Sequence, residues 1–198
     1  MKNIKKEIRE LQDNINLSSS EDKENRTVTG MAVVFDSPSV DMGFVEVIHK
    51  GAITEDTIKN SDVLCRFNHN DEKVLARCKN GEGSLKLSLN ERGLEYQFEA
   101  PQTALGDELL EYIKRGDITS SSFGFVVSKD EGSERWYKDA EGQIHRDIYK
   151  IDELFDVAPV FRPAYEATSC SARYAEVKET SEEIDKIMNL NREEIEKL

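Results

Sequence analysis

Few residues in this chain could do covalent chemistry. Its 198 residues include three histidines, His49, His69 and His145, and three cysteines, Cys65, Cys78 and Cys170. Imidazole exchanges a proton near neutral pH, so proton-transfer chemistry has few candidates. His69 sits in Phe67-Asn68-His69-Asn70-Asp71, where a predicted strand gives way to a polar loop, and rigid scaffolds present functional groups at such places. His49 precedes Lys50-Gly51 and reads as a strand exit, while His145 lies in a charged strand. A run of hydroxyls, Thr119-Ser120-Ser121-Ser122, leads directly into Phe123-Gly124-Phe125-Val126-Val127. Serines beside glycine usually mark a turn, but here an apolar β-run starts at once, so a hydroxyl stands at the mouth of a strand. Such a hydroxyl attacks only if a base takes its proton and donors meet the developing oxyanion. Backbone N–H groups of a tight turn, or an arginine, could be those donors. The G-x-S-x-G elbow of the α/β-hydrolases is absent. The cysteines are odd in number with no close pair, which argues against a disulfide framework and fits a reducing compartment. Cys65-x3-His69 with Cys78 does not match structural zinc spacings, so the thiols read as buried and inert.

The elements that must carry these groups are mostly strands. Leu85, Leu87 and Leu89 alternate, Asn90-Glu91-Arg92-Gly93 turns the chain, and Leu94, Tyr96 and Phe98 alternate again, a hairpin pattern. Further strands are expected at residues 28–35, 44–48, 62–67, 122–128, 135–138, 144–151 and 154–161. Short strands at this frequency suggest a barrel or sandwich. One helix is well signalled: Thr103 as N-cap, Leu105, Leu109, Tyr112 and Ile113 as its apolar face, Lys114 and Arg115 in the last turn, and Gly116 as C-cap. A shorter helix is expected at residues 54–59. The fold class is therefore β-rich (α+β).

Composition divides the chain into three. Charged residues are 34% and the net charge is −13. Residues 1–26 hold six basic and six acidic residues and no aromatic, and residues 174–198 hold four basic and eight acidic. We read residues 27–173 as the folded domain and the ends as helical or mobile extensions. Ile4, Ile8, Leu11 and Ile15 make a helical stripe in the first, followed by a linker at Ser18-Ser19-Ser20-Glu21-Asp22. Thr180 and Glu183 form a capping box in the last, ahead of a stripe of Ile184, Ile187, Met188, Ile195 and Leu198. A charge of −13 argues against binding to nucleic-acid backbones. No apolar run is long enough for a membrane span, and the first ten residues lack the apolar core of a secretory signal.

Read in order, these segments resemble a known family. They are Thr29-Gly30-Met31-Ala32-Val33-Val34-Phe35-Asp36-Ser37, Glu46-Val47-Ile48 with Gly51-Ala52-Ile53, Phe67-Asn68-His69-Asn70, Gly93-Leu94, and Ile113-Lys114-Arg115-Gly116-Asp117-Ile118. Ser122-Phe123-Gly124-Phe125, Trp136, Arg146, Leu154-Phe155-Asp156-Val157-Ala158-Pro159-Val160 and Pro163-Ala164-Tyr165 complete the set. It resembles the prohead (capsid maturation) proteases of tailed bacteriophages over roughly residues 26–173. The resemblance implies a closed β-barrel ringed by helices, related to the herpesvirus assemblins. It also implies a serine endopeptidase that needs no metal or organic cofactor. Such an enzyme works inside the immature capsid in the bacterial cytoplasm, cuts the scaffolding segment of the major capsid protein, and then cuts itself. By analogy with assemblins it would be a homodimer or higher oligomer.

By the same resemblance Ser122 is the nucleophile, His69 the general base and Asp156 the third member, which orients the imidazole. Glu153 and His145 are alternatives for that third role. Two positions depart from the family pattern: Ser120, where glycine is frequent two residues before the nucleophile, and Ala76 in Leu75-Ala76-Arg77. A Cβ at a position built for positive φ would strain the turn there. The competing reading is a non-catalytic scaffolding or capsid-binding β-barrel that docks through its tails.

Overall fold

Leucines set the simplest part of the architecture. Leu85, Leu87 and Leu89 lie opposite Phe98, Tyr96 and Leu94, so that apolar pairs stack across one hairpin. The Asn90 side chain closes its turn by accepting from the amides of Arg92 and Gly93, at 2.8 and 3.1 Å.

The computed structural model describes residues 6–11, 18–19 and 26–161. The first strands are β1 (Glu7–Leu11), β2 (Ser18–Ser19), β3 (Thr27–Val34) and β4 (Val45–Ile48), followed by helix α1 (Glu55–Lys59) and β5 (Asp62–Arg66). A 3-10 turn (Phe67–His69) leads to β6 (Val74–Lys79), β7 (Glu82–Gly83), β8 (Leu85–Leu89) and β9 (Gly93–Glu99). Helix α2 (Ala104–Arg115) then precedes β10 (Ser120–Val127), β11 (Glu134–Lys138), β12 (Ile144–Ile148) and β13 (Ile151–Val160).

Among these residues the strands form three sheets, in the orders β1-β10-β13-β5-β6-β7, β11-β12-β4 and β2-β3-β9-β8. Pairing is antiparallel except for β13 with β5 and β12 with β4. The sheets share a core in which Tyr96, Phe98, Phe123, Phe125, Ile148 and Leu154 are fully buried. The β-rich class with few helices is as expected. The closed barrel is a finer matter, because none of the three ladders closes on itself. Among the described residues, no helix is long and apolar enough to cross a membrane.

Helix α2 has the caps its sequence dictates. Thr103 Oγ1 accepts from the Gly106 amide, and Gly116 adopts a left-handed φ of 75° that ends the helix. Helix α1 follows the capping threonine Thr54, whose partner Thr57 completes a reciprocal box.

The N-terminal segment differs from expectation. Ile8 and Leu11 are not on a helix: residues 7–11 are extended and pair with β10 from Glu7↔Phe125 to Leu11↔Ser121. The physical reason is an open strand edge with buried charges behind it, which outweighs a weak local helical stripe. Ser18 and Ser19, expected in a linker, pair with Thr29 and Val28. Ile4, Ile15, Ser20-Glu21-Asp22, Pro163-Ala164-Tyr165, Cys170 and the whole C-terminal stripe lie outside the described residues. Strands β6 and β7 were also unexpected. A register shift between Cys65 and Arg66 breaks the alternation of β6 and hides it from a period-two search.

Candidate active site

Strand β10 is buried along its whole length, and alternation decides what each of its serines meets. Ser121 turns with Phe123 and Phe125, and its Oγ lies 2.8 Å from the Tyr96 hydroxyl. Ser122 turns the other way. Its Oγ is 2.6 Å from His69 Nε2, and the residue is wholly shielded from solvent.

His69 reaches that position through an unusual turn. Asn68 and His69 both have positive φ, at 52° and 57°. Two adjacent left-handed residues without glycine are strained, by about 1–3 kcal/mol each, unless their surroundings hold them. The surroundings here are specific. Phe67 is buried at the foot of the turn, its amide donates to the Lys73 carbonyl at 2.9 Å, and the Asn70 amide donates to the Phe67 carbonyl at 3.1 Å. Ser120 and Ala76, by contrast, sit in strands β10 and β6 without positive φ. The non-glycine residues with positive φ among those described are Asp36, Asn68, His69 and Asn80, so the strain expected at Ser120 and Ala76 does not arise.

Asp156 comes from β13, which lies between β10 and β5 and so faces both other groups. A bulge aims it. Gly124 pairs with Asp156 and Phe125 with Leu154, leaving Phe155 as the extra residue. The Phe155 ring packs where a side chain on Gly124 would be: a Cβ there would fall 2.4 Å from the ring. Only glycine admits both the ring and the bulge.

The carboxylate of Asp156 is fully buried and has a partner for each oxygen. His69 Nδ1–H donates to Oδ2, and Arg66 Nε donates to Oδ1 at 2.8 Å. Arg66 also pairs with Asp71 in the loop after His69. Its guanidinium is held even more firmly protonated than usual, chiefly by the hydrogen bond to Asp156. With Nδ1–H committed to the carboxylate, Nε2 presents its lone pair to Ser122. The sequence thus places Ser122, His69 and Asp156 far apart in the chain, and the fold brings them into one relay.

The alternatives lie elsewhere. Glu153 pairs with Val126, on the far side of the bulge. His145 Nε2 lies 2.8 Å from Asp139, and its ring stacks on Tyr137. His49 lies between Asp36 and Asp147 and stacks on Tyr149. Cys65 and Cys78 are buried free thiols, and burial, followed by the charge of Asp156, pushes the Cys65 thiol well above its ordinary range. A thiol held protonated in that way is a poor nucleophile. Among the described residues, no group of three or more His, Cys, Asp or Glu is arranged to hold a metal ion.

Sequence reasoning missed Arg66. Its signal was a cation three residues before the histidine, on a strand that must run beside the acid. It missed a second group too. Ser122 Oγ also lies 2.8 Å from the backbone carbonyl oxygen of Arg9, on β1, so the N-terminal strand covers the serine.

Comparison with solved structures finds the bacteriophage T4 capsid assembly protease, gp21, at 11% identity and a TM-score of 0.49, covering 81% of this chain and 98% of that one. Comparison with curated proteins gives no match. The family model described as caudovirus prohead serine protease matches residues 13–183, a span that includes His69, Ser122 and Asp156. The chain belongs to that family of phage prohead serine proteases.

Proposed function

We propose that this protein is a capsid maturation endopeptidase in which Ser122 is the nucleophile, His69 the general base and Asp156 the orienting acid. The observation that carries the reading is the continuous relay Ser122–His69–Asp156 in a chain of this family. Ser122 Oγ attacks a peptide carbonyl carbon while Nε2 takes its proton. The tetrahedral intermediate collapses, and the imidazolium returns that proton to the leaving amine. Water then attacks the acyl-enzyme with the same base. Asp156 fixes the tautomer and stabilises the imidazolium, and Arg66, donating to Oδ1, holds the carboxylate in place. Burial of the relay strengthens these interactions relative to water.

The substrates we propose are the scaffolding segment of the major capsid protein and the enzyme itself, with cleavage inside the prohead. We retain the division into residues 1–26, 27–173 and 174–198, with β1 as a piece of the first that docks on the second. The barrel proposed for the family would here be three ladders around one core rather than one closed ladder. The assemblin resemblance extends the proposal to a homodimer or higher oligomer.

Ser122→Ala, co-expressed with the capsid protein and followed by gel electrophoresis, tests the reading. Loss of a triad nucleophile lowers kcat by about 10⁶-fold in a comparable triad, so cleavage should vanish. Undiminished cleavage would sink the assignment and favour the non-catalytic scaffolding role.

A further inference from the structure

Strand β1 brings two charged side chains into a pocket made by the rest of the molecule. The Arg9 guanidinium binds Glu46 with two hydrogen bonds, Nε to Oε1 at 2.7 Å and Nη2 to Oε2 at 2.9 Å. It also lies over the rings of Phe44 and Phe125, at 5.7 and 5.5 Å. Glu7, on the same face of the strand, receives both terminal nitrogens of Arg146, at 2.5 and 2.9 Å. Glu46 and Arg146 are 3% and 4% exposed and are themselves 3.0 Å apart. Burial opposes ionisation of Glu7, yet the hydrogen bonds and charges of Arg146 and Arg9 win and hold its carboxyl down at about 2.

Chain position shows which half of this cluster is fixed. Glu46 and Arg146 sit on β4 and β12, paired in register within one sheet. Glu7 and Arg9 sit on an edge strand tied to β10 along its length. A strand that adds to an open edge, with alternate side chains in pockets, is how extended peptides are recognised. The register matters chemically. Glu10 lies opposite Ser122, and the Arg9 carbonyl oxygen is the one that accepts from Ser122 Oγ.

We infer that the edge of β10 is the peptide-binding groove, that Glu46 reads a basic side chain and Arg146 an acidic one two residues earlier, and that β1 occupies this groove in cis. The inference rests on the protease reading only for the identity of the bond that is cut. A peptide in the register of β1 places the carbonyl of its basic residue beside Ser122, and becomes reactive when that carbonyl turns its carbon toward Oγ. Attack then joins Oγ to that carbon, the bond to the next residue breaks, and the proton taken by His69 leaves with the amine. In the resting arrangement the Arg9 oxygen, not its carbon, faces the hydroxyl. Ser122 has one proton, and a proton donated to Arg9 is withheld from His69. The occupied groove is therefore closed as well as filled.

The test is fluorescence anisotropy with a labelled synthetic peptide of residues 6–13. The protein is the full chain carrying Ser122→Ala, to prevent turnover, with Glu7→Lys and Arg9→Glu to expel its own strand. The peptide should bind. Replacing its arginine by glutamate, or its first glutamate by lysine, should weaken binding about 30-fold or more, since each leaves a buried charge without its partner. Glu46→Gln in the protein should erase the preference for arginine. Equal binding of all three peptides, or binding of none, would overturn the inference. Should the triple variant fail to fold, hydrogen exchange on the Ser122→Ala chain decides instead. Those amides of residues 7–11 that face β10 should be protected and should lose protection on Arg9→Glu, whereas fast exchange before that substitution, or unchanged protection after it, would overturn the inference. Selective binding with no cleavage of capsid protein by a chain that keeps Ser122 but carries Glu7→Lys and Arg9→Glu would remove the protease reading and leave the groove. Cleavage with indifferent binding would do the reverse.

Discussion

Two buried charge clusters flank strand β10, and they are built for opposite ends. Arg66, Asp156, His69 and Ser122 form a line in which each group lies within hydrogen-bond reach of the next, all from the body of the domain. Glu7, Arg9, Glu46 and Arg146 form a ring of alternating charge, half of it delivered by an edge strand. A buried ion is tolerated only with partners, and removing one partner costs several kcal/mol. In the line, that penalty locks the geometry. In the ring, it sets the strength with which a detachable strand is held.

The sharpest way to break the contrast is Asp156→Asn. An amide cannot hold His69 in the same tautomer, and the comparable change in a serine protease lowers kcat about 10⁴-fold. The fold should survive, because the change is isosteric; steady-state kinetics beside a thermal melt will separate the two. An unchanged rate would turn attention to Glu153 or His145.

Acid should act on the ring. The carboxyl of Glu7 is depressed from 4.5 to about 2 in the folded chain. Its stabilising contribution is therefore complete above pH 4.5 and is lost as pH falls from there through 2. The shift corresponds to about 3 kcal/mol at full loss. Hydrogen exchange of residues 7–11 across that range should show β1 loosening before the global transition. Protection factors of these amides, corrected for the intrinsic pH dependence of exchange, that stay constant down to pH 2 would contradict the pairing.

Gly124→Ala probes the seam between the clusters. The added methyl meets the Phe155 ring and forces either the ring or the bulge to move, an overpacking that costs about 1–3 kcal/mol. The melting temperature should fall, and turnover with it, because the bulge aims Asp156. A stable variant of normal activity would show that the ring simply swings aside.

The smallest effect belongs to Arg66. Arg66→Gln should lower kcat about tenfold with KM unchanged, a loss of about 1.4 kcal/mol in the transition state alone. Arg66→Lys should recover part of it. Equal loss in kcat and binding would mean a structural rather than a positioning role.

The two clusters were unequally legible in the sequence. The helix α2 caps, the Leu85–Leu89 hairpin strand and its partner follow from local chemistry that folding leaves intact. Ser122, His69 and Asp156 came from family resemblance, since 53 and 87 residues of separation leave no local pattern joining them. The ring was missed because residues 4–15 carry an apolar spacing that suits a helix. One mark was available. Glu7 and Arg9, two apart, share a face only on a strand, where they can pair at 2.6 Å. What no local pattern could give is the destination of that pair, 37 and 139 residues further along the chain.

Strand β13 is the last strand along the described chain, yet it sits in the interior of the six-stranded sheet, between β10 and β5. During synthesis, β13 follows soon after β10 but long after β5, whose Leu64 pairs with Asp156. Contacts of such sequence separation form late and slowly. Until β13 inserts, His69 and Ser122 belong to fragments that share no sheet, so the proposed relay cannot assemble on a nascent chain.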